Sequence, residues 1–476
     1  MIIRILCACN LVCVLAACQP YTPAPLDPEA HEVEWSMRGP DHPMVTEFLS
    51  ELRAGRDQTG PFDPVDGLTL DEAEIVALVF NPDLRLARAE AGIAAAGAEF
   101  AGLRDDPTFS LELLRIAESV PDPWIMGAGI EFTVPLTNRL EVERRQAQAG
   151  YRAAAAQVAL RSWELLGELR AVWVEWSAVN VRMERITATL AEIDSIIEVV
   201  DRAAAGGQLT QMESRLFHIE RATRSAEWRA LEAQSQLLAL RINQQLGLRP
   251  EANINPQPSL AITTPQASGS DATARLEEAS PRIAAARADF EVAEEALHLE
   301  ILRQYPDLSI GPVVEDEEGQ SKIGFAGGIP VPIWNRNRRA IAEAKASREA
   351  ARAGFESAVE LTVHEFAAAQ TVLDLQRLRR ESLEGTLIPL VDEQLNQANR
   401  LAQQGEINTF LQLESVTRRL EAQLSLIDAM AAEADAANRV RLLLGSPIIS
   451  INFGGRAPEP EPATGESSSS TTGVRE

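Results

Sequence analysis

The chain has 476 residues, 44 basic and 70 acidic, for a formal net charge of −26. Such an acidic balance argues against nucleic-acid binding and favours attraction of cations, although a solvated acidic surface produces the same number. Four cysteines and five histidines leave little material for disulfides or nitrogen–sulfur metal sites.

Residues 1–17 read as a signal peptide. Arg4 is the only charge before the apolar run Ile5 to Ala17, which is too short for a spanning helix. The run closes on Leu15-Ala16-Ala17-Cys18, similar to a bacterial lipobox, which makes Cys18 the predicted lipidation site. Gln19 follows instead of the Asp that favours inner-membrane retention in such lipoproteins. Cys7, Cys9 and Cys13 would leave with the signal. Residues 18–67 are proline-rich and predict an extended tether. Thr69 and Glu72 then form a capping-box pattern for a first helix.

The body repeats itself. TVPLTNRLEVERRQAQAGYRAA around Thr133 answers PVPIWNRNRRAIAEAKASREAA around Pro330. Asn138-Arg139 falls on Asn335-Arg336 at a shift of 197 residues, and Pro107 on Pro306 at 199. Gly207 falls on Gly405, and Leu246-Gly247 on Leu444-Gly445, at 198. These ordered anchors define a duplicated unit, 68–254 and 277–453, with a linker over 255–276 and a disordered tail over 454–476. A period this long is not a solenoid's.

Each unit combines two periodicities. Thr108 to Leu113 alternates, with Phe109, Leu111 and Leu113 on one face; Met126, Ala128, Ile130, Phe132 and Val134 alternate with Gly127, Gly129, Glu131 and Thr133. Leu308 and Ile310, then Ile323, Phe325, Ile329, Val331 and Ile333, repeat the pattern. Strands are predicted at about 107–115, 124–136, 306–314 and 322–333, with connecting loops at Ala117 to Pro123 and Glu315 to Ser321. An apolar face opposite Gly, Ser, Thr and Glu fits a strand with lipid outside and water inside, and a soluble hairpin on a helix would alternate likewise. Trp124 and Trp334 fall at strand ends, where interfacial aromatics belong. Four strands cannot close a barrel, and open edges in lipid leave N–H and C=O groups unsatisfied, so membrane strands would require several chains to pool them.

The helical signal is long. Leu169, Val172, Trp176, Val179, Met183, Ile186, Leu190, Ile193, Ile197 and Val200 step by three and four, a coiled-coil seam. Leu216, Ile219, Thr223, Ala226, Ala230, Ala233, Leu237 and Leu240 predict the returning seam. Phe410, Leu413, Thr417, Leu420, Leu424, Ile427, Ala431 and Ala434 predict its counterpart in the second unit. Glycine-bearing turns, Gly206-Gly207-Gln208-Leu209 and Gly405-Glu406-Ile407-Asn408, join the strokes. Pro389 predicts a kink or break in the second outgoing stroke. The fold class is therefore mainly α with a membrane β part, built on duplicated long helical hairpins.

With these residues in view, LTLDEAEIVALVFNPDLRLARAEA, SPRIAAARADFEVAEEA, IPVPIWNRNRRAIAEAKA and QQGEINTFLQLE resemble TolC-type outer membrane efflux proteins, nearest their heavy-metal and cation branch. The resemblance covers about Leu68 to Gly445. It implies a homotrimer in which four strands per chain share a 12-stranded outer membrane β-barrel and the helices form a periplasmic α-barrel. It further implies a conduit without catalysis or cofactor, a periplasmic adaptor, an inner-membrane pump of the RND type and metal cations as candidate cargo. Matching tip to tip, the adaptor-contact positions are Gly207, Leu209, Thr210, Gly405, Ile407 and Asn408. Some members close the tunnel with two acidic residues one turn apart; Glu414 matches the second, whereas the first is Leu411 here, so Glu414 is the candidate periplasmic gate, and a solvated coiled-coil position accounts for it equally.

Other chemistry finds no motif. His31, His42, His218, His298 and His364 are scattered, and His364-Glu365 lacks a second histidine at zinc-helix spacing. The seven methionines form no relay, and there is no phosphate loop or nucleophile elbow. Three alternatives stand beside the efflux channel: a type I secretion channel, a periplasmic adaptor and a non-channel coiled-coil envelope lipoprotein. An adaptor should show split lipoyl-like halves around one hairpin, and a structural lipoprotein needs no strands.

Overall fold

A computed structural model of the chain describes residues 21–54, 62–64, 66–117, 123–261, 276–317, 320–404 and 408–444. Cys18, Gly405 and Ile407 lie outside the described residues, as does the tail over 454–476.

The N-terminal segment departs from expectation. Residues that read as an extended tether carry two helices, α1 (Pro28–Ser36) and α2 (Pro43–Ala54). Proline misled the reading: at the first helical position its missing N–H costs nothing and its φ suits the helix. Asp27 caps α1 by accepting from the Ala30 N–H at 3.0 Å. Val45, Leu49 and Leu52 of α2 are buried in the main core.

That core forms around α3 (Leu70–Phe80), most of which is buried. Its start is the expected capping box: the Thr69 hydroxyl accepts from the Glu72 N–H, and the Glu72 carboxylate accepts from the Thr69 N–H at 2.9 Å. Asn81 then accepts from the Asp83 and Leu84 N–H groups and starts α4 (Pro82–Glu99), with Pro82 in its first turn.

Four strands follow in two hairpins: β1 (Thr108–Arg115) with β2 (Trp124–Val134), and β3 (Leu308–Glu317) with β4 (Gln320–Gly328). They form one antiparallel sheet in the order β1-β2-β3-β4. The register keeps the faces separate: Phe109 lies opposite Ile130, Phe132 opposite Ile310 and Val314 opposite Ile323. Ser110, Gly129, Val313 and Gly324 form one row of the other face, and Glu112, Gly127, Glu315 and Lys322 another. A Cβ on Gly311 would lie 1.7 Å from the Ile130 carbonyl oxygen, so only glycine fits this approach.

Strand ends differ from the prediction. β2 stops at Val134, and β4 stops at Gly328, five residues short of Ile333. Pro330 and Pro332 have no N–H to give a ladder, which leaves Trp334 beyond the strand. Conversely, Glu315 to Glu317 and Gln320-Ser321, expected in a loop, extend the second hairpin. An ion pair between Lys322 and Glu317 and a hydrogen bond from Ser321 Oγ to Asp316 (3.1 Å) support it.

The strokes are α5 (Arg139–Ala205), α6 (Gln211–Gln245), α7 (Pro281–Leu302), α8 (Arg338–Ser382), α9 (Ile388–Gln403) and α10 (Thr409–Leu443). α5 has 67 residues, so at ~1.5 Å per residue it spans roughly 100 Å. Near the sheet it lies between α4 and α7, with α8 beyond α7; at the other end it lies between α6 and α10, with α8 and α9 beyond α10. Between α8 and α9 the helix passes through a π-helical turn, Leu383–Leu387, with Pro389 in the first turn of α9. The interruption expected at Pro389 is thus absorbed one turn earlier, where the wider turn accommodates the lost bond.

The predicted seams meet two fates. In α5, Leu169, Trp176, Val179, Ile186, Ile193 and Val200 are buried. In α10, Leu420, Ile427 and Ala434 are buried. In α6, all eight predicted seam residues are exposed, including Ile219 and Leu237. α6 instead packs on its own chain through Ser214, Phe217, Leu238 and Ile242.

Candidate functional site

The two helical tips lie at one end of the molecule. Ile193, Ile196 and Val200 of α5, Phe217 of α6, Leu395 of α9 and Val416 of α10 share one apolar cluster, with Leu209 and Leu413 packed against it. Leu209 therefore anchors the first tip from within.

The first turn is built by local chemistry. Gly207 has φ +74, the left-handed region that favours glycine. The Gln208 N–H donates to Ala203 O at 2.9 Å and the Gly207 N–H to Ala204 O at 3.1 Å, closing α5. Thr210 then opens α6 with a second capping box: its N–H donates to Glu213 at 2.7 Å, and its hydroxyl accepts from the Glu213 N–H at 3.2 Å. The spelling Thr210-Gln-Met-Glu213 carried this signal, and the sequence reading passed over it. Backbone and hydroxyl bonds from Thr210, helped by the Thr409 hydroxyl of the second tip, hold the Glu213 carboxyl below its usual pKa. In the second tip the Asn408 side chain accepts from the Leu411 N–H at 3.0 Å.

Glu414 is half-exposed on α10 and ion-paired with Arg418, four residues along the same helix. The structure thus puts a cation beside the candidate gate. The nearby Arg419 does more for the architecture. It lies 3.3 Å from Glu192 of α5 and 3.2 Å from Asp392 of α9, tying three strokes together above the tips. Arg182 of α5 pairs with Asp428 of α10 farther up. Asp201 accepts from the Ser214 hydroxyl, with His218 Nε2 at 3.3 Å; these bonds, Ser214 first, hold its carboxyl below its usual pKa. Sequence reasoning missed the Arg419 and Arg182 links because their partners lie far apart: Glu192 and Arg419 are separated by 227 positions.

At the other end of α5, Arg139 is held by Asp307 at 3.0 Å, Glu143 at 3.5 Å and Asp105 at 3.8 Å, beneath the sheet. In the core between the ends, Arg170 and Glu74 form a fully buried ion pair. Burial pushes the Glu74 carboxyl up to about 7, against the pull of Arg170.

Among the described residues no helix is long and apolar enough to cross a membrane, which says nothing of the sheet. Nor do three or more His, Cys, Asp or Glu side chains gather there in a group that could hold a metal.

No protein-family model matches the chain. A curated relative, the cobalt-zinc-cadmium resistance protein CzcC of Cupriavidus metallidurans, is 25% identical over 317 residues, covering 62% of this chain and 74% of CzcC. Among solved structures, the outer membrane protein VceC of Vibrio cholerae aligns with a TM-score of 0.65 at 18% identity over 79% of this chain and 96% of VceC. The outer-membrane channel OprN aligns with a TM-score of 0.68 at 17% identity, covering 90% and 98%. The long paired strokes and the four-stranded sheet described above are features of one shared fold.

Proposed function

From a chain that has the TolC-type outer membrane efflux fold and CzcC as a homologue, we propose that this protein is the outer membrane channel of a tripartite efflux system. Three copies form a passive conduit, without catalysis, that receives cargo from an inner-membrane pump of the RND type through a periplasmic adaptor. Divalent metal cations are the proposed cargo, in line with the relative named for cobalt, zinc and cadmium resistance and with the charge of −26.

The observation that carries the proposal is that the chain ends laterally in unfinished surfaces. β1 and β4 are edge strands of a sheet whose apolar residues face outward together. Such edges are untenable in lipid unless another strand pairs with them. On the helices, the α6 seam is exposed along one side, and Leu361, Val372, Leu375, Leu378 and Leu390 of α8 and α9 are exposed along the other. The two sides differ, so copies join head to tail, and a head-to-tail contact that closes makes a ring. A strandless envelope lipoprotein offers no reason for the sheet.

In this reading Cys18 carries the lipid, and the helical part hangs into the periplasm. Gly207, Leu209, Thr210, Gly405, Ile407 and Asn408 meet the adaptor, and Glu414 lies at the gate with Arg418 moderating its charge. Arg419 holds the resting tips by clasping Glu192 and Asp392. Adaptor binding opens them to the extent that it binds the open arrangement better. Full-length protein purified from outer membranes and reconstituted in planar bilayers tests the channel directly. A trimer that conducts and prefers cations is expected; a monomer without conductance would refute the conduit. Mass spectrometry of the mature N-terminus should find acylated Cys18.

A further inference from the structure

We infer that Arg336 of one copy binds Asp106 of its neighbour, closing a ring of intermolecular ion bridges where the sheet meets the helices; this rests on the ring reading above. The template is internal. Arg139 is the arginine of the first Asn-Arg motif and pairs with Asp307, at the start of the second hairpin, at 3.0 Å. This bridge joins the outgoing stroke of the first unit to the incoming strand of the second.

The duplication puts Arg336 in the place of Arg139. Around a ring of alternating units, its forward neighbour is the first hairpin of the next copy. The position matching Asp307 there is Thr108, and Asp106 lies two residues upstream. Both ends of this bridge are open within one chain. Arg336 is exposed, hydrogen-bonds through Nε to Pro332 O at 3.2 Å, and has no ion-pair partner among the described residues. Asp106 is exposed as well, with none among the described residues. On the rear side, the residue matching Asp105 is the neutral Gln304, so among the described residues nothing answers Arg336 as Asp105 answers Arg139.

The backbone supplies an independent argument. Arg336 and Asn337 have φ of 46° and 53°, the left-handed region that non-glycine residues avoid. Asn337 stabilises this turn by donating to Glu300 O at 2.8 Å and Glu300 Oε2 at 2.7 Å. In consequence α8 begins only at Arg338, whereas Arg139 is already the first residue of α5. Arg336 is exposed in this turn, beside exposed Arg338 and Arg339, the last of which pairs with Glu343 at 2.9 Å. Exposed Asp105 and Asp106, next to Arg104, lead into β1 at the opposite end of the sheet order, and Asp105 lies 3.8 Å from Arg139. Arg336 and Asp106 thus set opposite charges at opposite ends of the sheet order in one chain, which favours head-to-tail docking of successive copies.

The test uses the full-length protein in outer membranes and compares Arg336→Glu, Asp106→Arg and the double variant. The readout is the temperature at which the detergent-resistant oligomer dissociates. Each single reversal should lower it by several degrees, and the double variant should recover most of the loss, since only a direct contact makes two reversals compensate. Singles that match the parent chain, or a double no better than the sum of its singles, would overturn the bridge. Independently, Arg336→Cys combined with Asp106→Cys, treated with a short bifunctional thiol reagent, should give a ladder ending in a closed species, with none from either single variant. No ladder from a protein that still measures as a trimer sinks the bridge and spares the ring. A protein that is monomeric in its native membrane sinks both.

Discussion

α6 and α10 carry seams of the same heptad spacing, Leu216 to Leu240 and Phe410 to Ala434, and meet different fates. Leu420 of α10 is fully buried between strokes of its own chain, whereas Leu237 of α6 is 63% exposed. A 3.5-residue period says that a helix face will be covered, and says nothing about which molecule covers it. α10 lies in the middle of the layer with strokes on both sides; α6 lies at its edge. In the proposed ring, the difference separates contacts that one chain completes from contacts that it leaves to a neighbour.

The sharpest test of a completed contact is the buried Arg170–Glu74 pair. Arg170→Ala strands a carboxyl in the core and should cost about 3–5 kcal/mol, read by thermal or denaturant unfolding. Glu74→Gln should cost less, because it leaves a neutral polar group rather than a cavity beside Arg170. The pair also sets a pH dependence. The folded-state value of about 7 lies above the ordinary 4.5, so folding holds the proton more tightly. Its stabilisation is complete below about pH 4.5 and lost as pH rises through 7, on the order of a few kcal/mol. Unfolding temperature should therefore fall between pH 5 and 8 in the parent chain and flatten in Glu74→Gln.

Leu420→Ala should destabilise each chain by about 2–5 kcal/mol. Leu237→Ala should change the isolated chain by no more than about 0.5 kcal/mol, while Leu237→Asp should abolish the oligomer and leave helical circular dichroism intact. Equal effects at the two positions would erase the distinction between inner and edge strokes.

If the sheet lies in a bilayer as proposed, it offers a milder version of the same contrast, between a face left to lipid and a face left to water. Lysine in place of Phe132 or Phe325 should cost about 2–4 kcal/mol near the bilayer midplane, and lysine at Thr133 far less. A bulky water-soluble thiol reagent should label cysteine at Gly324 and spare cysteine at Phe325. Smallest of all should be Glu414→Gln. Because Arg418 already answers Glu414, assembly should be unchanged and block by multivalent cations only modestly weakened. Bilayer recordings with unaltered block would remove Glu414 from the gate.

Periodicity made the α5 seam, the strand faces and the Gly207 turn legible in the sequence, because each depends on residues close together in the chain. The Thr69 capping box was legible for the same reason. Strand ends were less so, since alternation runs through Ile329, Val331 and Ile333 although Pro330 and Pro332 cannot pair. The two N-terminal helices were hidden by proline composition. What escaped entirely was long-range charge: Arg419 with Glu192, Arg139 with Asp307, Arg170 with Glu74. A pairing across the fold has no spacing to read. For the tips, the glycine and the caps could be read, and the clasp between strokes could not.

The π-helical turn at Leu383–Leu387 also records descent. Before the outgoing strokes the two units align at a shift of 197 residues, Asn138 on Asn335; after them they align at 198, Gly207 on Gly405. One unit has therefore gained or lost a single residue within that stroke, and the π-turn, which holds one residue more than an α-turn, is where the longer stroke houses it. Both ends of the stroke keep their register, so the two halves of an ancient tandem have diverged in length without moving either the sheet end or the tip.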